Sequence, residues 1–177
     1  VALQPEIRRI IEAIGQKNII SSVLSFDYKQ EEGRFSDKTL DEIISASYEM
    51  GKVRTGALIV IEQNTPLGEY ERTGITVDGI VSSQLLINIF EHNTPLHDGA
   101  VIIRGDRVVS ATCYLPLTDT RTLSKDLGTR HRAGVGISEL TDSMTIIVSE
   151  ESGKVSVAYK GQLYRGLNEE GLREKLM

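Results

Sequence analysis

Apolar residues keep helical or strand spacing through most of this chain, and each change of period marks an element. Ile7, Ile10, Ile11 and Ile14 follow the i, i+3, i+4, i+7 spacing of one helix face. With Pro5 in the first turn and Gly15 at the end, they predict a short amphipathic helix. Residues 16–36, including the turn-like Glu31-Glu32-Gly33, lose the period and read mostly as loop. Leu40, Ile43, Ile44 and Tyr48 restore it, which predicts a second helix capped by Ser36 or Asp37 and stopped at Gly51. The run Gly56 to Glu62 (GALIVIE) is apolar throughout and bounded by breakers, as a buried strand is. A polar loop over 63–74, with Pro66 and Gly68, precedes a brief strand through Ile75 and Val77.

Val81 to Phe90 is helical again, with Ser82 or Ser83 as cap and Leu85, Leu86, Ile89 and Phe90 on the inward face. Ala100 to Ile103 and Val108 to Ala111, joined by Arg104-Gly105-Asp106-Arg107, form a β-hairpin pattern. After a polar loop over 116–128, a helix is expected from Thr129 to about Ser138. Two last strands, Met144 to Ser149 and Val155 to Tyr159, flank a turn at Gly153, and a C-terminal helix is expected near Asn168. Tyr159 and Tyr164 are expected to pack in the final hairpin. Strands and helices alternating irregularly, with local hairpins, imply an α/β or α+β fold: a mixed central β-sheet flanked by helices. No repeat, low-complexity tract or linker interrupts the 177 residues, so one domain over 1–177 is expected.

Composition narrows the function classes. With 40% hydrophobic and 25% charged residues, the chain resembles an ordinary soluble globular protein able to bury a core. A net charge of −5 argues against a nucleic-acid binder, which would carry a basic face. The single cysteine, Cys113, excludes an internal disulfide and a multi-cysteine zinc site, and its place in the apolar run Val108 to Leu115 makes it a core residue. No apolar run reaches the roughly 18 residues of a membrane span. The opening residues have neither the basic nor the apolar region of a signal peptide, and no initiator Met, so further N-terminal sequence is expected in the parent protein.

Two stretches carry candidate chemistry. The first, Asn93-Thr94-Pro95-Leu96-His97-Asp98-Gly99-Ala100, leads directly into a strand. An Asp-Gly pair by itself ordinarily makes only a turn. His97 beside Asp98 at a strand mouth adds something, because loops there commonly hold catalytic groups. The carboxylate can accept a proton or bind a metal, and the imidazole can ligate one. The second stretch is Gly128-Thr129-Arg130-His131-Arg132-Ala133-Gly134, at a predicted helix N-terminus. Free backbone N–H groups and guanidinium forks there suit phosphate, although charge runs are also common on wet surfaces. Neither a Walker A loop nor a dinucleotide fingerprint is present. An acidic, metal-capable loop followed by an anion clamp suits phosphoryl or nucleotidyl transfer, which needs positioning, charge neutralisation and an activated hydroxyl.

The triplets Asp98-Gly99-Ala100 and Arg130-His131-Arg132 resemble the paired DGA and RHR signatures of diadenylate cyclases. The stretches LLINIFEHNTPLHDGAVII, CYLPL, LGTRHRAGVGISELTDSMTIIVSEE and VSVAYKGQL are similar to the membrane-anchored CdaA type, and LQPEIRRIIEAIG to the segment after its transmembrane helices. The resemblance implies the fold of the diadenylate cyclase domain and condensation of two ATP into cyclic di-AMP with release of pyrophosphate. It implies two protomers facing each other, each bringing one ATP. Asp98 is then expected to orient or deprotonate the 3′-hydroxyl, and Gly99 and Ala100 to lie against the nucleotide. Tyr114 and Leu115 are expected to form the adenine slot, and Thr129, Arg130, His131 and Arg132 to hold the phosphates. Ser149, Glu150 and Glu151 are expected to complete the metal or phosphate shell, and His97 to ligate Mn²⁺ or Mg²⁺. The resemblance also implies a parent on the cytoplasmic face of the membrane, with a CdaR-type regulator and phosphoglucosamine mutase as partners.

Other readings remain. The His97-Asp98 pair also suggests an HD-type phosphohydrolase, but that chemistry needs further His and Asp ligands on helices, and the chain has three histidines in all. A nucleotide sensor without turnover would need the clamp but not the carboxylate. His92 reads as a helix-end surface residue, and Arg121 and Lys125 as exposed loop charges.

Overall fold

The computed structural model describes residues 35–177, so the helix expected over 5–14 and all but the last two residues of the loop expected over 16–36 lie outside the described residues. The first described helix, α1 (Asp37–Lys52), starts at Ser36, whose hydroxyl accepts a hydrogen bond from the Thr39 amide at 3.2 Å. Asp37 in its first turn and Lys52 in its last complement the helix dipole. Then follow β1 (Ala57–Ile61), a single helical turn α2 (Gly68–Glu71) and β2 (Ile75–Ile80). Next come α3 (Ser83–Phe90), capped by Ser82, and the hairpin β3 (Ala100–Arg104) and β4 (Arg107–Cys113). The chain ends with α4 (Thr129–Leu140), β5 (Met144–Val148), β6 (Val155–Tyr159), β7 (Gln162–Leu167) and α5 (Glu169–Leu176).

The strands form one seven-stranded sheet in the order β2-β4-β3-β1-β5-β6-β7. Among the described strands only β1 and β3 pair in parallel; the other neighbours are antiparallel. The mixed sheet flanked by helices is the expected fold class.

Both faces of the central strands are buried, which explains the unbroken apolar run of β1. Ala57, Ile59 and Ile61 join Val101, Ile103, Ile146 and Val148 in a core with α1, α3 and α5. Leu58 and Val60 point the other way, with Ala100, Ile102 and Ile147, against Ala133, Val135 and Ile137 of α4. The period-2 alternation of a strand thus feeds two cores at once.

Three details exceed the sequence-based expectation. The segment 63–74 contains α2, β2 continues to Ile80, and β7 adds a third strand after β5 and β6. The two outer strands, β2 and β7, are largely exposed.

Candidate active site

Sheet topology collects the candidate residues at one end. The N-terminal ends of β1 and β3 lie side by side because the two strands are parallel. Antiparallel pairing brings Cys113 beside Ala100, Val148 beside Ala57, and Leu167 and Val148 beside Val155. The starts of β1, β3 and β6 and the ends of β4, β5 and β7 therefore share one edge of the molecule, where α4 also begins.

The Asp98-Gly99 turn is shaped by backbone. Gly99 has φ +88°, and a Cβ there would lie 2.9 Å from the Cys113 carbonyl oxygen. Only glycine meets both demands without strain. Opposite it, Thr112 takes φ +52°, and the β3–β4 ladder shifts register between Ala100 and Ile102. Such a bulge re-aims the strand end. The exposed Asp98 keeps one carboxylate oxygen for the Gly99 amide, at 3.0 Å.

A cavity of about 470 Å³ opens between these turns, and both Asp98 and Arg130 line it, together with Gly99, Tyr114, Leu115 and Thr129. Leu115 is buried, whereas Tyr114 is 75% exposed at the mouth. The Tyr114 amide donates to the Thr73 hydroxyl at 2.8 Å, and that hydroxyl donates to the Tyr70 carbonyl at 2.6 Å. The slot's rim is thereby tied to the turn after α2.

A second cavity, of about 270 Å³, shares Thr129 and Arg130 with the first and is also lined by His131, Ser149, Glu150 and Glu151. The N-cap of α4, Gly128, offers no side-chain acceptor, so the first amides of the helix are left open to a ligand. Arg130 pairs with Glu150 at 3.2 Å while only 24% exposed. His131 is 7% exposed, and its ring makes no hydrogen bond among the described residues. Burial, with the charges of Arg165 and Arg130 beside it, pushes its pKa below the ordinary histidine value, with Asp126 partly offsetting. The Ser149 hydroxyl is occupied by the amides of Glu151 and Ser152, each at 3.2 Å, and shapes the turn.

Three expected residues line neither cavity: His97, Ala100 and Arg132. Ala100 is fully buried in the core beneath α4. Arg132 is half-buried, and its carbonyl accepts from the Thr118 amide at 3.0 Å, fastening the loop before α4. Two basic residues that line the second cavity escaped the sequence reading: Lys154 and Arg165. Arg165 lies on the unpredicted β7. Lys154 directly follows the predicted Gly153 turn, which faces the Ser149-Glu150-Glu151 stretch.

The metal question turns on His97. Its Nδ1 lies 2.6 Å from the Thr94 carbonyl oxygen, which can only accept, so Nδ1 is the donor and Nε2 is the ring nitrogen left to face a ligand. His92, exposed, stacks edge-on with centroids 5.6 Å apart. No group of three or more His, Cys, Asp or Glu placed to hold a metal occurs among the described residues.

Comparison with known proteins settles the family. Residues 44–163 match the DAC family, described as DisA bacterial checkpoint controller nucleotide-binding. The chain belongs to the DAC family. Among its DAC relatives, cyclic di-AMP synthase CdaA of Bacillus subtilis is 51% identical over 177 residues, covering 99% of this chain and 63% of the relative. A diadenylate cyclase of Listeria monocytogenes is 48% identical over 177 residues, covering 100% of this chain and 63% of the relative. The crystal structure of a double mutant of DacA from Staphylococcus aureus superposes with a TM-score of 0.78 at 49% identity, covering 79% of this chain and 93% of that one. The chain thus spans less than two thirds of the length of these two curated relatives. No helix among the described residues is long and apolar enough to cross a membrane.

Proposed function

We propose that this chain is the catalytic domain of a diadenylate cyclase, which condenses two ATP into cyclic di-AMP and two pyrophosphates. One observation carries the proposal: Asp98 and Arg130, from separate elements, line the same cavity. A carboxylate and a guanidinium facing one space suit a reaction that activates a hydroxyl while neutralising phosphate charge.

In this reading the adenine lies between Tyr114 and Leu115, and the triphosphate passes Thr129 and Arg130 into the second cavity. Asp98 takes the proton from a 3′-hydroxyl. The 3′-oxygen forms a bond to the α-phosphorus of the other ATP, and the bond from that phosphorus to the bridging oxygen breaks, releasing pyrophosphate. Ring closure repeats the step with the roles exchanged, so two protomers must face each other across a twofold axis. His97 Nε2 would hold a divalent cation, Mn²⁺ or Mg²⁺, which would supply charge neutralisation at the triphosphate. Relatives named for cyclic di-AMP synthesis at about half identity over the chain support the same reading. The similarity of the N-terminal stretch to a segment that follows transmembrane helices favours a membrane-anchored parent.

Incubating the protein at high concentration with ATP and Mn²⁺, then resolving the products, tests the proposal. Cyclic di-AMP is expected. ADP or AMP instead would make the chain a hydrolase, and unchanged ATP beside measurable binding would make it a sensor.

A further inference from the structure

Two groups of residues lining the cavity that holds Asp98 belong to stretches joined only by a long connection. Tyr114, Leu115 and Leu117 come from the segment after β4, and Thr129, Arg130 and Ala133 from α4. Residues 119–128, the covalent link between them, are mostly exposed, so the link itself does not fix their spacing. A clasp outside the cavity does. Arg132, Gly136 and Glu139 stand four and three residues apart, along one side of α4. The Arg132 carbonyl accepts from the Thr118 amide at 3.0 Å. A Cβ at Gly136 would run into the Pro116 carbonyl oxygen, which is backbone and cannot give way, so helix and segment approach closely only because the residue is glycine. The Thr118 hydroxyl donates to Glu139 Oε1 and accepts from the Thr120 amide at 3.2 Å. Thr118 is only 5% exposed, so its hydroxyl relies on these partners rather than on water. Neither Thr118 nor Glu139 lines either cavity.

We propose that Thr118 and Glu139 are positioning residues: through their hydrogen bond they fix the spacing between the Tyr114-Leu115 slot and the Arg130 end of α4. This rests on the cyclase reading and deepens it, because in that reading one ATP reaches from the slot to the helix start. A ligand that touches both walls gains from a spacing set in advance, since the protein need not be ordered when it binds. A fragment that touches one wall gains nothing from it. The clasp therefore acts on the whole nucleotide and leaves its halves alone.

Thr118→Val keeps the side-chain shape and removes the donor, and Glu139→Ala removes the acceptor; Thr118→Ser and Glu139→Gln keep the bond. Titration calorimetry with ATP, adenosine and sodium tripolyphosphate on each variant tests the assignment, with thermal melts confirming that each is folded. ATP affinity is expected to fall at least fivefold in Thr118→Val and in Glu139→Ala, while adenosine and tripolyphosphate, each confined to one wall, stay within twofold. The double variant should bind ATP no more weakly than the weaker single one, as two partners of one bond require. The serine and glutamine variants should bind ATP within twofold of wild type. Unchanged ATP affinity in both single variants overturns the proposal. So does a loss shared equally by ATP and its two fragments, which is what a merely structural role predicts. A wild-type protein that makes no cyclic di-AMP yet shows the ATP-selective loss would fail the cyclase reading alone.

Discussion

Gly56 lies directly against the guanidinium of Arg130: a Cβ at Gly56 would come within 2.8 Å of its Cζ and 2.9 Å of Nη1. The residue before β1 therefore sets where the Arg130 fork rests. Gly56→Ala would displace the mobile end of a side chain rather than backbone, so the fold should tolerate it. Restricting the unfolded chain could even add about 0.4–1 kcal/mol of stability. The expected result is an unchanged or slightly raised melting temperature with kcat/KM for ATP lowered roughly tenfold, a difference of about 1.4 kcal/mol in transition-state stabilisation. Thermal melts and initial rates on one preparation check it.

Thr73 positions Tyr114 without reaching the cavity, through the 2.8 Å bond from the Tyr114 amide. Thr73→Val keeps the shape and removes the acceptor. Tyr114 is exposed, so water can satisfy the freed amide, and the loss falls on alignment of the slot rather than on folding. KM for ATP should rise several-fold, with kcat nearly unchanged, and Thr73→Ser should restore it. Equal KM values for all three proteins would remove Thr73 from the account.

His131 ties stability to pH. Its folded pKa lies below the ordinary value of 6.5, so between the two the unfolded chain binds a proton that the folded protein refuses. Its neutral form is no burden above 6.5; as the pH falls below that, stability declines until the folded pKa is reached. Asp106 and Asp142, whose hydrogen bonds hold their pKa values below the usual 3.8, act in the same direction but only at lower pH. Urea unfolding between pH 7.5 and about 5 should show a slope in wild type that flattens in His131→Gln. An identical slope in both proteins would assign it elsewhere.

The sequence was most informative where burial is two-sided or a cap is chemical. GALIVIE betrayed β1 because both of its faces are covered, and Ser36, Ser82 and Asn168 mark helix starts with side chains that accept from the amide three residues on. The outer strands lacked that signal. In β7, Gln162, Arg165 and Gly166 are exposed, so no apolar alternation separates it from a loop. The one-turn helix α2 is too short to show a stripe.

For the site, Asp98, Arg130 and their neighbours were legible from residue type and position. The far wall was not, because Lys154 and Arg165 reach the cavity only through the pairing of β5, β6 and β7. Arg132 lines neither cavity for a related reason: it sits two residues after Arg130, so the turn of α4 carries it away from the face Arg130 occupies.

The division of labour between the acidic turn and the cationic helix start is tested most directly by measuring cyclic di-AMP formation and ATP affinity on Asp98→Asn, with Arg130→Ala beside it. The asparagine variant should bind ATP within about threefold of wild type yet turn over at least roughly a hundredfold more slowly, as loss of a general base predicts. The alanine variant should lose both affinity and rate, in keeping with about 1.5–3 kcal/mol for a charge-assisted bond. Near-normal turnover by Asp98→Asn would contradict the account.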